Sequence, residues 1–149
     1  MKYTGRILLA LAGVVLIVIG YFAWSLIYTW QRLPEAYAAW DIGTLLICYM
    51  ERNEKRWPKD WDDLISTIQP DDPCVRFRGF QRPEDSAKGY PETVAKLKAM
   101  VRIDWKYVPK PGSSEKPISK TDGTPFPVVW SGAEPNEMIF NYLTHGIKE

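Results

Sequence analysis

Asp60, Asp62 and Asp63 crowd three carboxylates into four positions and are the first place to look for cation chemistry. A calcium loop needs alternating oxygen ligands, a glycine at its sharp turn and a later bidentate glutamate. The sequence beyond Asp63 has none of these. Acids at the head of a helix have a simpler use. Asp60 can cap the helix, and Asp62 and Asp63 fall in its first turn, where the dipole favours negative charge. Asp71-Asp72 reads as a turn. No grouping of His, Cys, Asp and Glu has metal-ligand spacing, so neither a metal nor any cofactor is expected. The sole histidine, His145, falls in the last turn of the final helix, where a positive charge is favoured. No nucleophile or carboxylate is spaced to work with it. Ser113-Ser114 lack the strand–turn–helix context of a serine nucleophile. The 18 acids include no hydrolase motif. These residues therefore point away from an enzyme.

Two further sets could do work. Cys48 and Cys74 are the chain's two cysteines. They allow one disulfide outside the cytoplasm, or two buried thiols. The bridge requires their Cα atoms to come within ~7 Å. Trp57, Trp61, Trp105 and Trp130 suit either a recognition groove or the core of a small domain, since tryptophan serves both. Trp57 precedes Pro58 and must be extended. That makes it the most exposed of the four. Trp57, Pro58 and Trp61, with the strand Val101–Tyr107, are the candidate protein contacts.

The elements that would hold these residues can be read from periodicity. Pro34 suits a first helical turn. From there Ala36, Tyr37, Trp40, Thr44 and Ile47 recur at helical steps to about Asn53, with Trp40, Ile47 and Met50 on the buried stripe. Gly43 implies close approach of another element. A charged turn over Arg52–Arg56 leads to a short helix carrying Trp61, Leu64, Ile65 and Ile68. Val75–Arg78 alternates like an edge strand, and Pro91 opens a helix with Val94 and Leu97 inward. Val101–Tyr107 has apolar residues at every second position, as a half-buried strand does. Phe126, Val128 and Trp130 repeat that pattern, so these two segments are expected to pair across the Asp122-Gly123 turn. Pro109–Pro127 reads as a loop. Asn136 caps a last helix with Met138, Ile139, Tyr142 and Leu143, and Gly146 ends it. The expected fold class is α+β, a short antiparallel sheet packed on helices.

Ahead of all this stands a run, Ile7 to Trp30, without one charged side chain. A helix over it reaches roughly 36 Å, enough to span a hydrocarbon core of ~30 Å. Tyr21, Phe22, Trp24, Tyr28 and Trp30 crowd its end like an interfacial belt. Lys2 and Arg6 precede it, and Glu35 offsets Arg32 beyond it, so the expected topology is N-inside. The division is a tail over 1–6, a transmembrane helix over 7–30 that meets lipid, and an outer domain over 31–149. The alternatives are a signal peptide cut after Ala38, or a buried helix of a soluble protein. The apolar run is longer than the ~7–15 residues of a signal-peptide core. Gly13 and Gly20 lie on one face but form no two-glycine packing motif. The outer part is close to neutral, with signs interspersed, and lacks the clustered basic face that nucleic acid needs.

Tyr49, the polar turn Arg52-Asn53-Glu54, Trp57-Pro58, Trp61 and Leu64 together resemble the stretch after the long helix of bacterial pilin-like and pseudopilin-like proteins. Tryptophan stands for the aromatic of their "Tyr-Pro" turn. The resemblance implies an apolar N-terminal helix continuing into an ectodomain with an antiparallel sheet. Gly5-Arg6-Ile7-Leu8-Leu9-Ala10 lacks the glutamate of the prepilin cleavage sequence, and Pro34 is expected to break the continuous helix. What the resemblance implies is layout alone, a membrane-tethered ectodomain. The tether, the near-neutral outer domain and the lack of a catalytic grouping lead to the expected reading: a single-pass protein of the bacterial inner membrane, its C-terminal domain extracytoplasmic, serving as an interaction or scaffolding module for another envelope protein. An envelope enzyme or ligand-binding domain, and an immunity or inhibitor protein, are the alternatives.

Overall fold

The structure, a computed structural model, describes the backbone of residues 2–68, 83–127, 132 and 134–146, with side chains from 11–68, 90–127, 132 and 134–146. The element order is α1 (Lys2–Arg52), α2 (Trp61–Ser66), α3 (Pro83–Met100), β1 (Val101–Ile103), β2 (Ile118–Lys120) and α4 (Pro135–His145). The described chain is mostly helical, with one two-stranded antiparallel sheet, an α+β layout. It divides into two compact units, Met1–Leu33 and Pro34–Glu149.

The first unit is helix alone. From Leu11 to Trp30 every residue except Gly13 is exposed, up to 73% at Ile17. The Thr29 hydroxyl donates to the Ser25 carbonyl at 2.9 Å, so the helix itself satisfies that polar group. The Arg32 guanidinium lies 4.4 Å from the centre of the Tyr28 ring.

α1 runs through Pro34 without a break, which corrects the expected interruption there. Proline removes one backbone donor, that to the Trp30 carbonyl. Restarting a helix beyond it would cost a new nucleus, which is the larger loss. The helix ends at Arg52, where the Asn53 amide and side chain both donate to the Tyr49 carbonyl, at 3.0 and 2.9 Å. Glu54 and Lys55 then take left-handed backbone, φ 54° and 61°.

The second unit packs around the last part of α1. Ala38, Ala39, Ile42, Leu45, Leu46, Tyr49 and Met50 are all buried there. The buried surface is wider than one stripe, and Trp40 and Ile47, expected on it, are only half-buried. Each full burial of such a side chain is worth ~1.5–3 kcal/mol. Gly43 is needed where α4 crosses: a Cβ there would stand 2.7 Å from the Met138 sulfur.

α2 forms as expected, with the Asp60 carboxylate accepting from the Asp63 amide at 2.8 Å. α3 begins at Pro83 and carries Pro91 inside it, so it starts earlier than expected; Val94 and Leu97 are buried. Val75–Arg78 lies outside the described residues.

The sheet differs from expectation. β1 pairs with β2 in the register Val101↔Lys120, Arg102↔Ser119, Ile103↔Ile118, so the partner lies inside the stretch read as a loop. Phe126 is buried, but it is not in a strand; Val128 and Trp130 lie outside the described residues. β1 stops at Ile103 because the Asp104 carboxylate accepts the Lys106 amide at 3.0 Å and turns the chain. The alternation of burial persists to Tyr107 even so.

Asn136 is not the cap of α4. Glu134 is, its carboxylate accepting from the Glu137 amide at 2.7 Å. The Asn136 amide instead pairs with both backbone groups of Ile118, at 3.0 and 2.9 Å, and so covers the open edge of β2. Gly146 closes the helix at φ 69°.

Candidate functional site

The three aspartates are a structural network. Asp60 caps α2, and the Asp62 side chain is almost fully exposed, 3.5 Å from Lys98. One oxygen of Asp63 accepts both the Tyr49 hydroxyl and the Lys59 amide, each at 2.9 Å. The Lys59 amide first, then the Tyr49 hydroxyl, hold Asp63 below the usual carboxylate range. Burial, with the Asp63 bond and charge adding to it, pushes the Tyr49 phenol up to about 12. That oxygen is already spoken for by two donors, and the network ties α1 to α2. Asp71-Asp72 lies outside the described residues.

The aromatic contact expected at Trp57-Pro58 is corrected. Trp57 is 9% exposed and Pro58 is fully buried. The indole N–H donates to the Asp104 carbonyl at 2.9 Å, and the ring meets Tyr107 edge-on at 5.0 Å. Long-range packing overrides the local reading of Pro58 as an exposed turn. Trp61 stays half-exposed and stacks edge-on with Trp105 at 5.6 Å. Val101, Ile103 and Tyr107 face the core, leaving only Arg102, Asp104 and Lys106 of that segment outward.

Cys48 is 2% exposed and its sulfur is in a disulfide. Cys74 lies outside the described residues. Among the described residues no group of His, Cys, Asp and Glu could hold a metal ion.

Among the described residues of the second unit, two clefts bear on chemistry. One, of about 470 Å³, runs beside Ser113, Ser114, Glu115, Glu134 and Glu137. Glu134 is occupied there by the Glu137 amide and the Asn136 side chain, and among the described residues no histidine serves the serines. The other, of about 550 Å³, lies between the last turns of α1 and α4 and is lined by Ile47, Glu51, Met138, Asn141, Tyr142, His145 and Gly146. Burial, reinforced by the Glu51 charge, raises the Tyr142 phenol. Both His145 and Glu51 line this cleft, a combination that no sequence spacing announces. The spacing of its α4 walls (138, 141, 142, 145) is visible in the sequence as one helical face. That α1 supplies the opposite wall is not.

The remaining candidate surface is the apolar helix Leu11–Trp30. α1 is long and apolar enough to cross a membrane, and none of its most apolar stretch is buried. Comparison with protein-family models, curated proteins and solved structures gives no match to this chain.

Proposed function

We propose that this is a single-pass membrane-anchored envelope protein whose second unit is a protein-interaction or scaffolding module, pilin-like in layout. The observation that carries the reading is the Leu11–Trp30 segment. Its apolar side chains are exposed on every side of the helix. A soluble protein rarely leaves so large an apolar surface uncovered. In lipid it is the stable arrangement, because the helix satisfies its own backbone.

Four further features support the reading. α1 passes from the apolar segment into the second unit as one helix, as the pilin-like layout requires. Lys2 and Arg6 favour an N-inside orientation. The disulfide at Cys48 fits an oxidising compartment, and the pairing proposed is with Cys74. Ala36, Ala38 and Ala39 are buried in α1 within the core. Cleavage after Ala38 would take part of that core away, which favours an uncleaved anchor.

A second reading is a small-molecule or peptidoglycan-directed binder or enzyme. It is favoured by His145 and Glu51 lining one cleft. Among the described residues no serine, cysteine, threonine or lysine lines it, so binding fits the cleft better than covalent catalysis does.

The test is alkaline carbonate extraction of membranes, then protease digestion of spheroplasts. The expected result is a full-length chain retained in the pellet, with its second unit digested from outside. A full-length chain in the supernatant removes the anchor. A second unit protected until lysis reverses the orientation.

A further inference from the structure

We propose that the cleft between the last turns of α1 and α4 is a docking site for a lysine or arginine side chain that a partner protein presents next to an apolar one. The inference names the partner chemistry of the binding-module reading and rests on it. The floor of the cleft is apolar, made by Ile47, Met138 and the Tyr142 ring. Its rim is formed by Glu51, Asn141 and His145, all exposed. Their side chains make no hydrogen bond or ion pair with another described residue. Glu51 is the one carboxylate among the described lining residues. The last turns of two helices meet here, and each carries a partial negative charge of roughly half an electron at its carbonyl end.

A carboxylate with no partner among the described residues, two helix C-termini and an aromatic ring all favour the same sign of guest. The ring adds a cation–π surface. The chain already brings one cation near it: the Lys55 ammonium lies 6.0 Å from the Tyr142 centroid. That is the outer limit of such a contact, so Lys55 competes weakly for the ring, and among the described residues no ion pair engages Glu51. A volume of about 550 Å³ admits a pair of side chains but not a helix. The exposed rim lets them enter from a partner's surface.

The test uses the full-length chain in lipid nanodiscs, with the Met138 and Ile47 methyl groups labelled for NMR. The probes are capped Leu-Lys, Leu-Gln and Leu-Glu dipeptides. Leu-Lys is expected to shift both methyls and to bind more tightly than Leu-Gln, with Leu-Glu weakest. Glu51→Gln should weaken Leu-Lys about two- to fivefold, the scale of an exposed ion pair, and leave Leu-Gln unchanged. Lys55→Met should strengthen Leu-Lys. Equal binding of the three probes, indifference to Glu51→Gln, or no methyl shift in a chain that is incorporated in the disc overturns the docking site and leaves the anchor standing. A chain that fails to enter the disc overturns the anchor instead, and the same titration in buffer then decides the cleft.

Discussion

Ile17 and Ile42 are the same residue on the same helix, yet one is 73% exposed and the other 0%. The first lies among neighbours that are apolar on all sides and that no described residue covers. The second lies among small residues, Ala38 and Ala39, and aliphatic ones, Leu45 and Leu46, enclosed by the second unit. A helix that is apolar all round must be surrounded by either protein or lipid. α1 is apolar all round over Leu11–Trp30 and carries a broad apolar face over residues 38–50, and among the described residues only the second is covered. The difference between the two regions is one of surroundings, not of helix-forming tendency. Substitutions of like chemistry should therefore have opposite readouts in the two regions.

The largest effect is on localisation. Deleting residues 1–33 should move the protein wholly from the membrane pellet to the soluble fraction, while near-ultraviolet circular dichroism keeps the signature of a packed second unit. A truncated chain that stays in the pellet would break the contrast. Next comes a matched pair. Leu46→Ala should lower the unfolding free energy of the second unit by about 2–5 kcal/mol, as for a buried leucine. Leu16→Ala should change it by less than about 0.5 kcal/mol. Denaturant titration of both variants checks this. Equal effects would show that the two surfaces are not differently solvated.

The disulfide sharpens the picture of the enclosed region. Under the proposed pairing of Cys48 with Cys74, closing the loop is worth about 3.5 kcal/mol in the chain-entropy account. Cys48→Ser should lose about that much, and reduction of the wild type should match it.

The Tyr49–Asp63 bond then sets pH limits. Tyr49 titrates at about 12 in the folded chain and at about 10 in the unfolded one, so its contribution is complete below pH 10 and is lost as pH rises towards 12. The loss should be at most about 2–3 kcal/mol. It should be absent in Tyr49→Phe when the two are unfolded at pH 8 and pH 11. Asp63 is shifted the other way. Its contribution is present above the unfolded value near 4 and disappears as pH falls through its lower folded value. The smallest effect is at the sheet edge. Asn136→Ala uncovers the amide and carbonyl of Ile118 and should cost about 2 kcal/mol. Faster hydrogen exchange at Ile118 should report it.

Legibility in the sequence tracks the range of the forces. The Asp60 cap, the Gly146 stop and the inward Val94 and Leu97 depend on neighbours within one or two turns, and each is found where local pattern puts it. The partner of β1 is not legible because Phe126-Val128-Trp130 alternates as persuasively as Ile118-Ser119-Lys120, and pairing is settled by what reaches the strand, not by alternation. Trp57 reads as exposed because its N–H partner, Asp104, lies 47 positions away. The cleft is half legible. One face of α4 can be read from spacing, whereas Glu51 joins it only through the crossing at Gly43.

The sequence alone determined the apolar stretch, the Asp60 cap, the Gly146 stop and the near-neutral charge of the segment beyond Trp30, since each is a property of residues close along the chain. Tertiary structure alone decided that α1 continues through Pro34, that Ile118 is the neighbour of Ile103, and that His145 and Glu51 face one cleft. The physical reason is that these outcomes are set by packing between distant segments. There, burial of ~1.5–3 kcal/mol per side chain outweighs local preferences of a fraction of that size.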